Sequence, residues 1–420
     1  MLDIQELNRS IEEKQDKLFQ TLSELIQINS ENFGAYGNEE PCAREIARRC
    51  QKLGLETQIY SPLDLPDFEK HPDYMEGRNL ENRYNVTARW KGAEDTDALM
   101  IMGHSDTVPI GDLANWTVDP LGGILKDGKI WGRGACDDKY ALASALFVIE
   151  LLQEKGFVPK KNLLFTAYSD EEKGGSHGAL AACLKYPSKR ILNMDGRFEN
   201  LWHCASGGCE AIYKFHTANT VNSAEQTAAA IPVVLEVLKT FAANRLEELS
   251  NNRFYAGSII PQTSMRYMGI KAGNNGADLG HGEAYFVFYT DKTKEEIFAE
   301  FAALEEVLSQ RLAPLGIVGD GFVPVTRYFH YGYVEPDCPA IVDMCEAARE
   351  AVGEAPVVCG SCLSDLSVLL KYSGAEAFAL GAGREFSLPG GAHQPNEFIT
   401  CEALLKFAKV LAAYIVKTLG

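Results

Sequence analysis

The chain has 420 residues, 46% hydrophobic and 23% charged, the composition of a globular protein too long for one ordinary core. Its formal net charge of -18 argues against nucleic acid and anionic membrane surfaces as partners, since both need a positive footprint; it says little about a small substrate. The 11 cysteines are odd in number and scattered, which argues against a disulfide framework.

Residues 1–28 are charged and helix-periodic, without the apolar core and small-residue cleavage site of a secretion signal. No later stretch reads as apolar for the length a bilayer needs, so a cytoplasmic protein is expected. Residues 3–29 predict one amphipathic helix, 41–53 a second ending at Gly54, and 57–60 a short strand. The polar stretch 61–83, with Pro62, Pro66 and Pro72, predicts a long loop to which no role is assigned. Strands follow at 84–90 and 98–103, the second continuously apolar as a central buried strand should be. It ends in Gly103-His104-Ser105-Asp106. Residues two apart in a strand face the same way, so His104 reads either as a ligand whose ring Asp106 orients or as a core histidine satisfied by that carboxylate.

Residues 122–131 predict a hairpin over Lys126-Asp127-Gly128. Next comes Gly132-Arg133-Gly134-Ala135-Cys136-Asp137-Asp138-Lys139, a glycine-flanked loop before a buried helix predicted at 141–152. A carboxylate there suits a metal, although taken alone Asp138 reads as a helix cap. A strand at 163–168 runs into Ser169-Asp170-Glu171-Glu172-Lys173-Gly174-Gly175. Three adjacent carboxylates repel one another unless something positive sits among them, so this run reads as metal-binding or as a solvated acidic loop. Another strand at 190–194 also ends in a carboxylate, Asp195.

From 208 to 327 the pattern becomes strand (211–215), long helix (223–249), strands (264–270 and 284–289) and helix (292–311). That ordering predicts a small α+β domain inserted into a catalytic domain made of 1–207 and 328–420. A helix at 339–352 leads back, an apolar run at 375–380 enters Gly381-Ala382-Gly383, and the loop at 390–397 carries His393 before a closing helix at 400–417. Cys359-Gly-Ser-Cys362 has no second pair and reads as two buried thiols.

Collected from these strand ends, His104, Asp137, Glu172, Asp195 and His393 make five candidate ligands, with Glu171 outside the set. Two imidazoles and three carboxylates suit a borderline ion such as zinc. If Asp137 is shared, two ions each receive three protein ligands. Glu171 then serves as general base for an attacking water, and Asp106 holds His104.

The motifs GHSDTVP, WGRGACDDK, SDEEKGG, NMDG and GGAHQPNEF stand in the order and approximate spacing of a known metallopeptidase family. The chain resembles, over nearly its whole length, the family that includes acetylornithine deacetylase, succinyl-diaminopimelate desuccinylase and glutamate carboxypeptidase. The resemblance implies an α/β catalytic domain with a mainly parallel sheet flanked by helices, interrupted by a smaller α+β lid and dimerisation domain. It implies that Asp137 bridges two zinc ions, with His104 and Asp195 completing one and Glu172 and His393 the other. Glu171 is then the base and Asp106 the orienting residue; cobalt or manganese are expected substitutes. The implied reaction is hydrolysis of a small peptide or N-acyl amino acid by a homodimer. A deacylase of biosynthetic amino acids is the alternative, as is a non-catalytic metal-binding relative, against which the presence of Glu171 argues.

The insertion departs from the family pattern. Relatives carry a histidine after its first strand that reaches the partner subunit's site; in Lys214-Phe215-His216-Thr217-Ala218-Asn219, His216 is either that residue or a surface histidine. The strand at 284–290 lacks the arginine that relatives use for a substrate carboxylate, with Arg266 or Arg384 as possible replacements. Substrate preference is expected in the loops 360–365 and 381–393, where Gly381 is a candidate contact. Tyr140 stands where relatives often carry glycine.

Overall fold

A computed structural model describes residues 2–218, 223–255, 264–274 and 278–420. The helix predicted at 3–29 is in fact two. Asp3 accepts hydrogen bonds from the Gln5 and Glu6 backbone N–H groups and starts α1 (Ile4–Glu13); Lys14 then leaves helical geometry at φ -107° and ψ 14° before α2 (Gln15–Ile26). Apolar residues continue through the break, with Leu7, Ile11, Leu18, Leu22 and Leu25 all buried, so periodicity carries no mark of it. There follow α3 (Glu40–Lys52) and β1 (Glu56–Tyr60), and then the expected loop, with 3-10 turns at Pro62–Asp64 and Phe68–Lys70.

Beyond it come β2 (Asn85–Trp90) and β3 (Glu94–His104), then the hairpin of β4 (Ile124–Lys126) and β5 (Lys129–Trp131). Asp127 and Gly128 turn the hairpin with φ of 53° and 68°, the left-handed pair that Asp-Gly provides at low cost. The chain continues through α4 (Lys139–Glu154), β6 (Lys161–Tyr168), α5 (His177–Lys185), β7 (Arg190–Asn193) and β8 (Asn200–Ala205). Next are β9 (Gly207–Thr217), α6 (Ser223–Asn251), β10 (Met265–Asn274), β11 (Asp278–Thr290), α7 (Lys294–Leu312) and β12 (Ile317–Pro324). Asn219, at the end of the segment around His216, lies outside the described residues. The last elements are β13 (Gly332–Tyr333), α8 (Pro339–Val352), β14 (Val357–Gly360), α9 (Leu366–Tyr372), β15 (Glu376–Ala379), β16 (Phe398–Thr400) and α10 (Cys401–Leu419).

Two units partition the chain: Met1–His203 with Tyr333–Cys359 and Val368–Gly420, and Cys204–Gly332 with Gly360–Ser367. Among the described residues the large sheet runs β1-β2-β6-β3-β7-β15-β8-β13, with β14 beside β8. It is parallel at its centre, where β6, β3, β7 and β15 lie side by side, and antiparallel at β1, β2 and β8. The sheet is therefore mixed, with a parallel core. The register sets His104 opposite Tyr168, Met102 opposite Asn193, and Asn193 opposite Ala379. Four parallel strands thus end at one level, and the loops after them open on the same edge, where open α/β sheets collect ligands. Helix α4 is buried on nearly every side and packs against α2, α10 and β3; each fully buried Leu or Ile in it stabilises the fold by ~1.5–3 kcal/mol.

In the second unit the antiparallel sheet runs β10-β11-β9-β12, with α6 against β11 and α7 against β12. Phe241, Phe286, Phe288, Phe301 and Phe322 fill the space between, Phe301 and Phe322 stacked at 4.4 Å. Thr293 and Glu296 start α7 as a reciprocal capping box. Contrary to the sequence expectation, among the described residues one helix is long and apolar enough to cross a membrane by length and composition: α6, whose best window has mean hydropathy 1.3. Its Ala230, Val234, Leu238 and Phe241 recur at helical spacing and are buried in the core of this unit.

Candidate metal centre

His104 ends β3 and is fully buried. Its Nδ1 lies 2.9 Å from the main-chain oxygen of Asp106; a carbonyl only accepts, so Nδ1 carries the proton and Nε2 presents its lone pair to the site. That Nε2 is 3.0 Å from Asp137 Oδ1, while Asp137 Oδ2 is 3.2 Å from His393 Nε2. The two oxygens of one carboxylate therefore face two different imidazoles. Glu172 completes the far side, with Oε2 at 2.9 Å from His393 Nε2 and Oε1 accepting the Val108 N–H at 3.0 Å. Two groups result, His104 with Asp137 and Asp195, and Asp137 with Glu172 and His393, each with ligand atoms within 4.8 Å of one another.

The electrostatics follow from this crowding. Burial alone would lower His393, but the Glu172 charge and hydrogen bonds to Asp137 and Glu172 raise it to about 10. His104 is pushed the same way, well above its ordinary value, by Asp106 and Asp137 against the effect of its burial. Asp195 is raised to about 7 by burial and then by the Asp137 charge, and Asp137 is held low, its burial outweighed by both imidazoles. Acceptor lone pairs aimed at one another need a proton or a cation between them. An all-N/O set of imidazoles and carboxylates fits divalent metal ions, with Asp137 shared between the two groups.

The supporting residues explain why the loops hold this shape. Asp138 does not cap α4: its Oδ2 accepts the His104 backbone N–H at 3.2 Å, and burial raises its pKa well above the ordinary range. Gly103 leaves the room, since a Cβ there would meet that oxygen at 2.5 Å. Lys139, also buried, reaches back to the Leu25 carbonyl in the last turn of α2 and to the Ile28 carbonyl just after it. Arg133 forms a buried pair with Glu397 at 2.6 Å, and Glu397 also accepts the Cys136 N–H at 2.9 Å, tying the loop of Asp137 to that of His393.

The family model for Peptidase family M20/M25/M40 matches residues 100–417. The chain belongs to this peptidase family. It is a metal-dependent hydrolase of that family, with the α/β architecture the sequence implied. An uncharacterized metallohydrolase of Methanocaldococcus jannaschii is 24% identical over 447 residues, covering 92% of this chain and 96% of the relative. A solved di-peptidase of Saccharomyces cerevisiae shares the fold at a TM-score of 0.72 and 14% identity, covering 99% of this chain and 98% of that one. So does a dinuclear metal-binding peptidase of Bacillus subtilis, at 0.60 and 17%, covering 96% and 98%.

Within this M20-family hydrolase the remaining sequence candidates fall as follows. Glu171 is half-buried and in neither group of ligand atoms; its charge acts on His104, and its backbone N–H donates to Asp106 Oδ1 at 3.2 Å. Asp106 approaches His104 Nδ1 only at 3.6 Å with its carboxylate, which instead gathers the N–H groups of Glu171 and Glu172 and the amide of Asn32. His216 is a partly exposed residue of β9 paired with Asp320 at 2.8 Å. Gly381 is buried, and a Cβ there would meet the Tyr140 hydroxyl at 2.0 Å and the Met194 carbonyl at 2.2 Å. Tyr140 donates to the Met194 and Gly196 carbonyls on either side of Asp195, so the tyrosine that departs from the family pattern buttresses a candidate ligand. Arg384 stacks its guanidinium on Phe398 at 4.1 Å and donates to the Pro389 carbonyl at 3.3 Å. Arg266 donates to the Tyr289 hydroxyl at 3.1 Å. Cys359 and Cys362 are half-buried rather than buried, and no disulfide joins them.

Sequence reasoning missed Asn32, Arg78, Arg83 and His177, which gather around Asp106 and Asp170 behind Glu171. Arg133 and Glu397 stood inside the quoted motifs, and their opposite charge was the signal that could have paired them. Phe386 packs edge-on to His393 at 4.8 Å and is exposed, an apolar surface directly beside the site.

Proposed function

We propose that the protein hydrolyses the amide bond of a small peptide or N-acyl amino acid, using two divalent ions, zinc by preference. His104, Asp137 and Asp195 would hold one ion, and Asp137, Glu172 and His393 the other. The observation that carries this reading is the placement of Asp137, whose two oxygens face separate imidazoles belonging to separate groups of ligand atoms. Bound divalent ions supply Lewis acidity for the scissile carbonyl and make water acidic enough to react near neutral pH.

The protein's own groups supply the rest. Glu171 stands outside both ligand sets, takes the proton from the attacking water and delivers it to the departing nitrogen, so one carboxylate serves as base and then as acid. The His104 Nδ1–H bond to the Asp106 carbonyl fixes the tautomer that leaves Nε2 available as a ligand. A cytoplasmic location agrees with none of the 11 cysteines forming a disulfide, and exposed Tyr267, Met268 and Ile270 on the edge strand β10 support a homodimer through the second unit, measurable by light scattering.

The test is a panel of dipeptides against acetyl and succinyl amino acids, assayed on chelated enzyme before and after zinc, cobalt or manganese is returned. Turnover should vanish on chelation and return with metal. Glu171→Gln should keep its metal and lose kcat by about 10²–10⁴. Activity surviving complete metal removal, or undiminished in E171Q, would defeat the proposal.

A further inference from the structure

The loop between α2 and α3 carries Asn32, which is fully buried and which the reaction outlined above does not use. Its own position is fixed twice: the backbone N–H donates to the Thr107 carbonyl at 2.8 Å, and Oδ1 accepts the Gly34 N–H at 2.8 Å. That leaves Nδ2 aimed at the acidic strand ends. It donates to Asp106 Oδ2 at 2.8 Å and to the Glu172 carbonyl at 2.8 Å, and lies 3.4 Å from Asp170 Oδ1.

The same Asp106 carboxylate accepts the N–H groups of Glu171 and Glu172 at 3.2 and 2.9 Å. Three backbone groups of two consecutive residues are therefore held by one carboxylate and one amide. The residue before them is equally constrained. Asp170 has φ 61° and is fully buried among Arg78 at 2.5 Å, Arg83 at 2.7 Å and His177 at 2.5 Å. His177 Nε2 accepts the Met75 N–H, so its proton is on Nδ1 and points at Asp170. A Cβ on Gly175 would sit 2.2 Å from Asp170 Oδ2, so the turn that follows closes tightly on this carboxylate.

We propose that Asn32 is a positioning residue for the general base: it fixes the backbone from which the Glu171 carboxylate projects, and it does not itself meet substrate. This rests on the assignment of Glu171 as the base. An unsupported segment that drifts by about 1 Å costs about 100-fold in rate when it carries a reacting group. The effect belongs to kcat, because Asn32 makes no contact that substrate binding would change.

The test compares metal-loaded wild type with Asn32→Ala, Asn32→Ser and Asn8→Ala. Asn8 is a buried asparagine of the same unit that donates to the Ala351 carbonyl at 2.7 Å and so ties α1 to α8. N32A should keep wild-type metal content and a KM within about twofold while kcat falls about 100-fold. N32S, which keeps a shorter donor, should fall between the two and stands in if N32A does not fold. N8A should lower the melting temperature and leave kcat alone. Wild-type kcat in the Asn32 variants overturns the inference, as does a loss that merely follows metal content or that N8A shares. A wild-type enzyme inert toward every substrate in the presence of metal would instead remove the reading of Glu171, and the inference with it.

Discussion

Arg133 and Glu397 are 264 residues apart and both almost wholly buried, so each depends on the other for its charge to be tolerable. Replacing Arg133 with Met leaves Glu397 buried without its counter-charge; such losses cost about 3–5 kcal/mol, read as a fall in urea midpoint. Asp97 offers a pH test away from the site. Burial raises this carboxyl, but hydrogen bonds from Arg89 and Asn162, together with the Arg89 charge, hold it below its ordinary 3.8. A depressed carboxylate stabilises the fold above its ordinary pKa, and that contribution is lost as the pH falls through the folded value. D97N should therefore lower stability at pH 7, and the difference from wild type should shrink in acid unfolding as the pH falls through the depressed pKa of Asp97. Individual residues were legible where local sequence carried them: His104 and Asp195 each close an apolar run. Arg78 and Arg83 were not, because the carboxylates they pair with lie 92 and 44 residues away and nothing in the polar loop marks them as buried.

At the level of elements, the central strands were legible because burial on both faces makes them continuously apolar. The short strands β8, β13, β14 and β16 and the helix α9 were not, since a few residues cannot show a period. Strand β12 was hidden by its glycines, and the break at Lys14 by the apolar repeat that spans it. Lys139 joins two segments, donating from the start of α4 to the Leu25 carbonyl in the last turn of α2 and to the Ile28 carbonyl just beyond it. K139M should leave the Ile28 carbonyl without this donor, since the Leu25 carbonyl also accepts the Ile28 N–H at 3.2 Å, at a cost of about 1–3 kcal/mol and with faster amide exchange around residues 25–28. Gly381, in the loop after β15, lies against the Tyr140 hydroxyl. G381A should destabilise by roughly 1–3 kcal/mol in thermal melts, and adding Y140F should not restore it, because the Met194 and Gly196 carbonyls crowd the same Cβ at 2.2 and 2.6 Å.

For the whole molecule, the order of five motifs along the chain was enough to place it in its family, whereas nothing in the sequence located the edges of the two units to the residue. The metal centre ties global stability to ligand concentration, since ions that grip only the folded chain add about 2.7 kcal/mol at a hundred times their Kd. Chelation should lower the melting temperature and added zinc should raise it in proportion to the logarithm of its concentration; a melting point indifferent to both would show that the imidazoles and carboxylates do not bind metal.

The two groups of ligand atoms also differ in when a growing polypeptide can complete them. His104, Asp137 and Asp195 all lie within the first 195 positions, whereas the second group waits for His393, 198 residues further along the chain. A nascent chain thus carries the whole of one candidate group well before the other, and emergence of the loop that bears His393 is the event that makes the pair whole.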